Sequence, residues 1–137
     1  MFLTPGLDGG FEYLRKQSLQ LASKMRFLAA QLDALLTDEL WLRCASQANA
    51  MARLLADRVE PLAGVTITRP VHTNAVFARL PSPEAIAALQ REYDFYVWDE
   101  RANEVRWMCS WDTTEDDVER FAAALARVVA GDARAAG

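Results

Sequence analysis

The sequence predicts an α+β fold, with two N-terminal helices followed by a mostly antiparallel sheet whose helices gather on one face. Three observations predict it. Apolar residues recur at helical spacing in the first part of the chain, at a spacing of two through the middle, and at helical spacing again near the end. The resulting order is helix, helix, strand, strand, helix, strand, strand, helix, which suits one layer of helices on one sheet. At 137 residues the chain is one domain's worth, long enough to bury an ordinary core.

The first residues, "MFLTPGLDGG", begin apolar and run into a Pro/Gly/Asp cluster, like the cut end of a strand. From Phe11 to Leu36 a stripe of Phe11, Leu14, Leu21, Met25, Leu28, Leu32 and Leu35 predicts a long helix. Thr37 or Asp38 suits the N-cap of a second helix. Its expected buried side holds Trp41, Cys44, Ala45, Ala48, Met51, Ala52, Leu55 and Val59, and it ends before Pro61. The period then becomes two. Val65–Thr68, Asn74–Leu80, Phe95–Trp98 and Val105–Trp111 read as strands. Ser82 as N-cap with Pro83 behind it starts a short helix to about Arg91. The polar run Asp99–Glu104 fits a hairpin loop, and Thr114 with Asp117 opens a last helix with the stripe Val118, Phe121, Ala122, Leu125, Val128 and Val129. Residues 1–36 are therefore expected as a strand end and a long connecting helix, 37–131 as a small α/β domain, and 132–137 as a frayed tail.

Composition removes several functions. A net charge of -4 argues against a nucleic-acid surface. No apolar run approaches the roughly 20 residues that span a bilayer. No basic flank and apolar core mark a secretory signal, and the cysteine usage leads to the expectation of a cytoplasmic protein. Cys44 and Cys109 have no cysteine or histidine at metal-ligand spacing and read as reduced core residues.

Few residues suggest chemistry. His72, the single histidine, lies in the polar joint "RPVHTN" and reads as a loop residue. No nucleophile triad or phosphate-binding glycine loop can be assembled. Glu115, Asp116 and Asp117 lie in the first turn of the last helix, where negative charge offsets the helix dipole. Arg106 stands out. In "VRWMCSW" Val105, Trp107, Cys109 and Trp111 share one face, and Arg106, Met108 and Ser110 the other. A guanidinium among apolar neighbours needs a partner: a bound carboxylate, an internal salt bridge, or solvent on an open sheet face. Both lysines of the chain, Lys16 and Lys24, fall in the basic run "RKQSLQLASKMRF". Lys16 and Arg26 project away from its apolar stripe, about 15 Å apart if the helix is unbroken. They read as a solvated face or as a site for an anionic group.

The blocks "RKQSLQLASKMRFLAAQLDALL", "ANAMARLLA", "TNAVFARLP", "FYVWD" and "VRWMCSWDTTEDDVERF" carry a resemblance. Together they resemble the C-terminal part of low-specificity L-threonine aldolases, of the β-eliminating-lyase group with the aspartate-aminotransferase type of fold (fold type I). The resemblance implies the small C-terminal domain of a lyase using pyridoxal 5′-phosphate, bound to a lysine as a Schiff base. It further implies cleavage of a β-hydroxy-α-amino acid to glycine and an aldehyde, in a homodimer or tetramer with shared active sites. By resemblance Arg106 binds the substrate carboxylate, and Lys16 and Arg26 reach the cofactor region from the adjacent subunit. Two departures stand beside this. "QSLQLASK" replaces the family's shorter glycine-rich link, and the attachment lysine, the ring-stacking residue and the acidic partner of the ring nitrogen precede the matched region. No catalytic residue is therefore expected here, and the chain alone is expected to be inactive. A free-standing interaction module or a carboxylate-binding module on the same small-domain fold are the alternatives.

Overall fold

The structure, a computed structural model, describes residue 6, residues 9–20 and residues 22–135. The strand end expected at the first residues lies outside these. The chain divides into two units, Met1–Leu40 and Trp41–Gly137.

The first unit holds α1 (Phe11–Gln17) and α2 (Met25–Leu36). The single long helix expected from Phe11 to Leu36 is thus broken, and the cause is local. Leu19 takes the left-handed conformation at φ 55. Its N–H donates to the carbonyl of Lys16, while the Gln20 N–H donates to that of Arg15 at 3.0 Å. This pair of bonds is the Schellman closure, which ends a helix by satisfying its last carbonyls. A glycine normally fills the left-handed place; a leucine there costs about 1–2 kcal/mol. The chain restarts after Lys24, also left-handed at φ 59. Thr37, expected as a start signal, instead donates its hydroxyl to the Asp33 carbonyl at the end of α2 (2.8 Å). Neither α1 nor α2 buries a residue.

The second unit is the α+β layer. Its helices are α3 (Leu40–Val59), α4 (Pro83–Leu89) and α5 (Glu115–Ala135). Its strands are β1 (Thr66–Ile67), β2 (Ala75–Arg79), β3 (Tyr96–Asp99) and β4 (Glu104–Met108). They lie in the order β1-β2-β4-β3, each pair antiparallel. The predicted local signals hold. The Ser82 hydroxyl accepts the Ala85 N–H at 3.0 Å, and Thr114 and Asp117 bond reciprocally as a capping box. In the hairpin loop the Asp99 carboxylate accepts the Arg101 N–H at 2.9 Å.

One face of the sheet makes the core. Val76 and Ala78 of β2 and Val105 and Trp107 of β4 pack with Leu55, Leu89 and Leu125 from the three helices. Three expectations fail at its margins. Burial on α3 begins at Ala48, so Trp41 is exposed, Ala45 is exposed and Cys44 is half-buried. Trp111 is exposed because β4 ends at Met108; the Ser110 N–H then donates to Thr113 Oγ1 (2.8 Å) and turns the chain. Of the tail expected to fray, residues 132–135 are helical and residues 136–137 lie outside the described residues; Asp132 accepts a hydrogen bond from Ser82 at 2.6 Å, tying α5 to the cap of α4.

Candidate functional site

Alternation along β4 sends Val105 and Trp107 into the core and puts Glu104, Arg106 and Met108 on the opposite, open face. The register places Phe77 of β2 and Tyr96 of β3 directly beside Arg106. The guanidinium carbon lies 5.2 Å from the Tyr96 ring centre and 5.1 Å from that of Trp98. These contacts attract a cation through the ring face and consume no N–H donor. They also explain why Arg106 is half-buried on a face where Tyr96 and Met108 are exposed.

Arg106 has no salt bridge among the described residues, and its Nε is buried without a hydrogen-bond partner. A cleft of about 360 Å³ opens at this point, lined by Asp94, Phe95, Tyr96, Arg106 and Met108. The internal ion pair left open by the sequence is therefore not formed. With Nε enclosed, the two terminal nitrogens are the part of the guanidinium left to take a carboxylate through paired hydrogen bonds.

Glu104 would be the obvious internal partner, two residues along the same strand face. It is buried, the one charged side chain so placed among the described residues. Its carboxylate is already held. Thr68 Oγ1 donates to one oxygen, and Arg69 Nη2 donates to the other at 3.0 Å. Arg69 in turn lies over the Phe77 ring at 4.1 Å and beside the Trp98 ring at 5.5 Å, while Phe77 meets Trp98 edge-on at 5.2 Å. The open face thus carries two arginines around one indole, one paired and one unpaired. Sequence reasoning missed Arg69, Glu104 and Trp98. The i, i+2 spacing of Glu104 and Arg106 was a visible signal; the partner of Glu104, on the far side of the sheet, was not.

Lys16 lies in the last turn of α1 and Arg26 in the first turn of α2, on separate helices of the first unit. Neither has an ion pair among the described residues, and the Arg26 guanidinium rests over Phe27 at 5.0 Å. The Nε of Arg15, beside Lys16, is buried without a partner. His72 is an exposed loop residue. The acidic run is engaged at the helix start: Arg120 pairs with Asp116 at 2.6 Å and with Asp117. The Thr114 hydroxyl and backbone N–H, assisted by Arg120, hold the Asp117 carboxyl below its ordinary value of 3.8. Burial pushes the Cys109 thiol up, as a reduced core cysteine requires. Among the described residues no cluster could hold a metal ion, and no helix is long and apolar enough to cross a membrane.

Comparison with known proteins returns the group that the sequence blocks resemble. The chain is 45% identical over 120 residues to a low-specificity L-threonine aldolase of Pseudomonas aeruginosa, covering 88% of this chain and 34% of that enzyme. It is 40% identical over 129 residues to one from a Pseudomonas species, covering 94% of this chain and 37% of that enzyme. Part of the solved threonine aldolase of Leishmania major shares this fold, with a TM-score of 0.77 and 28% identity over 93% of this chain and 36% of that one. No protein-family model matches the chain. It spans about a third of the length of these relatives.

Proposed function

From its kinship with one part of the low-specificity L-threonine aldolases, we propose that this chain forms the substrate-carboxylate side of a lyase that cleaves β-hydroxy-α-amino acids to glycine and an aldehyde. The observation that carries the reading is the unpaired Arg106 guanidinium, flanked by Tyr96 and Trp98 above a cleft that admits a ligand. An α-carboxylate fits its two terminal nitrogens. Gripping it fixes the rotation of the amino acid about Cα, so that one chosen bond can be broken. Pyridoxal phosphate supplies the electron sink for that cleavage when bound.

Lys16 and Arg26 are the residues of this chain that suit the cofactor's anionic side, since neither forms an ion pair among the described residues. They bind; they do not catalyse. The attachment lysine belongs, on this reading, to the two thirds of the relatives that this chain does not span, and the chain alone is inactive. The apolar stripe of α2, with Leu28, Leu32 and Leu35 exposed, supports assembly with a second copy in a cytoplasmic homo-oligomer.

The test is a chimera in which this chain replaces the matching segment of the Pseudomonas aeruginosa enzyme. Aldehyde release from L-threonine is expected, with kcat/KM lowered about 10- to 100-fold by Arg106→Ala, the worth of a charge-assisted hydrogen bond. Unchanged kinetics in Arg106→Ala would remove Arg106 from the reaction. The self-contained core of the second unit and its open Arg106 favour one other reading, a free carboxylate-binding module. Glycine or threonine binding by the chain by itself, abolished by Arg106→Ala, would favour that module over the lyase.

A further inference from the structure

Arg106 is useful to a ligand only while no side chain of its own sheet claims it. Residues i and i+2 of a strand stand on one face about 6.7 Å apart along it. Glu104 and Arg106 hold those positions on β4, and their side chains are long enough to meet. They do not pair, because Thr68 and Arg69 hold both oxygens of Glu104. Arg69 also reaches the ring of Trp98, the same ring that the Arg106 guanidinium approaches.

We propose that Arg69 is a positioning residue of the Arg106 site: by holding Glu104 and abutting Trp98, it keeps the Arg106 guanidinium free and aimed at an incoming carboxylate. The inference rests on the carboxylate reading above and adds to it a condition. The site contains its own competing anion, and a second arginine keeps that anion away. A buried carboxylate that loses its cation is strongly driven to find another. Without Arg69, two cations of that face are within reach: Arg79, set opposite Glu104 on β2 but exposed, where an ion pair is worth little, and the half-buried Arg106, where it is worth more. The ligand's carboxylate would then compete with Glu104 instead of meeting an open fork, and affinity would fall with little change in the chemistry that follows.

The rearrangement is readable without substrate. In the 137-residue chain with isotope-labelled arginine, the side-chain nitrogen signals of Arg106 report its partner and its rate of rotation. Arg69→Met is expected to shift these signals and slow guanidinium rotation, as an ion pair with Glu104 forms. Arg69→Met with Glu104→Gln is expected to restore them, because the competing charge is gone. Arg69→Lys is expected to leave them as in the parent. Should Arg69→Met fail to fold, Arg69→Gln serves in its place: it still donates to Glu104 but carries no charge, and a partial shift is expected. Arg106 signals that do not respond to loss of Arg69, or that the double variant does not restore, overturn the proposal.

In the chimera the same series should raise KM for threonine about 5- to 30-fold in Arg69→Met, with kcat within about threefold, and the double variant should recover most of the loss. The two arms separate the failures. Arg106→Ala without effect on KM defeats the carboxylate reading, while the nitrogen signals test the Arg69–Glu104–Arg106 arrangement regardless of it.

Discussion

α2 and α5 are both amphipathic, yet they use the pattern differently. On α5, Val118, Leu125 and Val129 are buried in the core. On α2, Leu28, Leu32 and Leu35 remain 50%, 62% and 44% exposed. Helical periodicity reports which face of a segment is apolar, but the covering surface is a separate fact that no single segment contains. The second unit supplies that surface from a sheet and two further helices. Among its described residues the first unit has no sheet.

This contrast has a large expected consequence. Leu125→Ala should cost the second unit about 2–5 kcal/mol, because it removes a fully buried side chain and leaves a cavity. Leu32→Ala in α2 should stay within about 0.5 kcal/mol. Denaturant unfolding followed by tryptophan fluorescence measures both. Equal losses would break the comparison, since α2 would then be part of the core after all.

A smaller effect is expected at the caps. Ser82→Ala removes a hydroxyl that accepts the Ala85 N–H and donates to Asp132, and should cost about 1 kcal/mol in the same experiment. Its reach into α5 sharpens the comparison further, because the second unit closes on itself through side chains as well as through its core. A loss indistinguishable from that of an exposed serine on α4's surface would contradict the tie.

The smallest effect is one of pH. Asp117 is held below its ordinary value of 3.8 in the folded chain. Its contribution to stability is therefore fully present above pH 3.8 and is lost as pH falls through the lower, folded value. Thr114→Ala removes the hydroxyl that both caps α5 and depresses Asp117. Stability measured between pH 5 and pH 2 should fall less steeply in Thr114→Ala than in the parent; parallel curves would mean the carboxylate is not coupled to the cap.

Much of the fold was legible because its signals are local. Ser82–Pro83, Thr114 with Asp117, the hairpin loop after Asp99 and the alternation that turns Arg106 away from Trp107 each act within a few residues. The failures are of two kinds. Trp41 and Trp111 are large apolar residues at element ends, where periodicity continues but nothing remains to cover them. The break after Gln17 escaped the pattern because a leucine occupies the left-handed place that a glycine would have marked. At the site, Arg106 was visible by residue type and strand position. The engagement of Glu104, its neighbour on the strand face, was not, since Arg69 reaches it across the sheet from 35 residues away.

The proposed carboxylate role of Arg106 is tested most directly by removing the charge from both sides. In the chimera, kcat/KM for L-threonine is compared with that for L-threoninamide, in the parent and in Arg106→Ala. Recognition of the carboxylate predicts that the parent prefers threonine by about 10- to 100-fold and that Arg106→Ala prefers neither by more than about threefold. An Arg106→Ala enzyme that keeps the parent's full preference would place the carboxylate elsewhere.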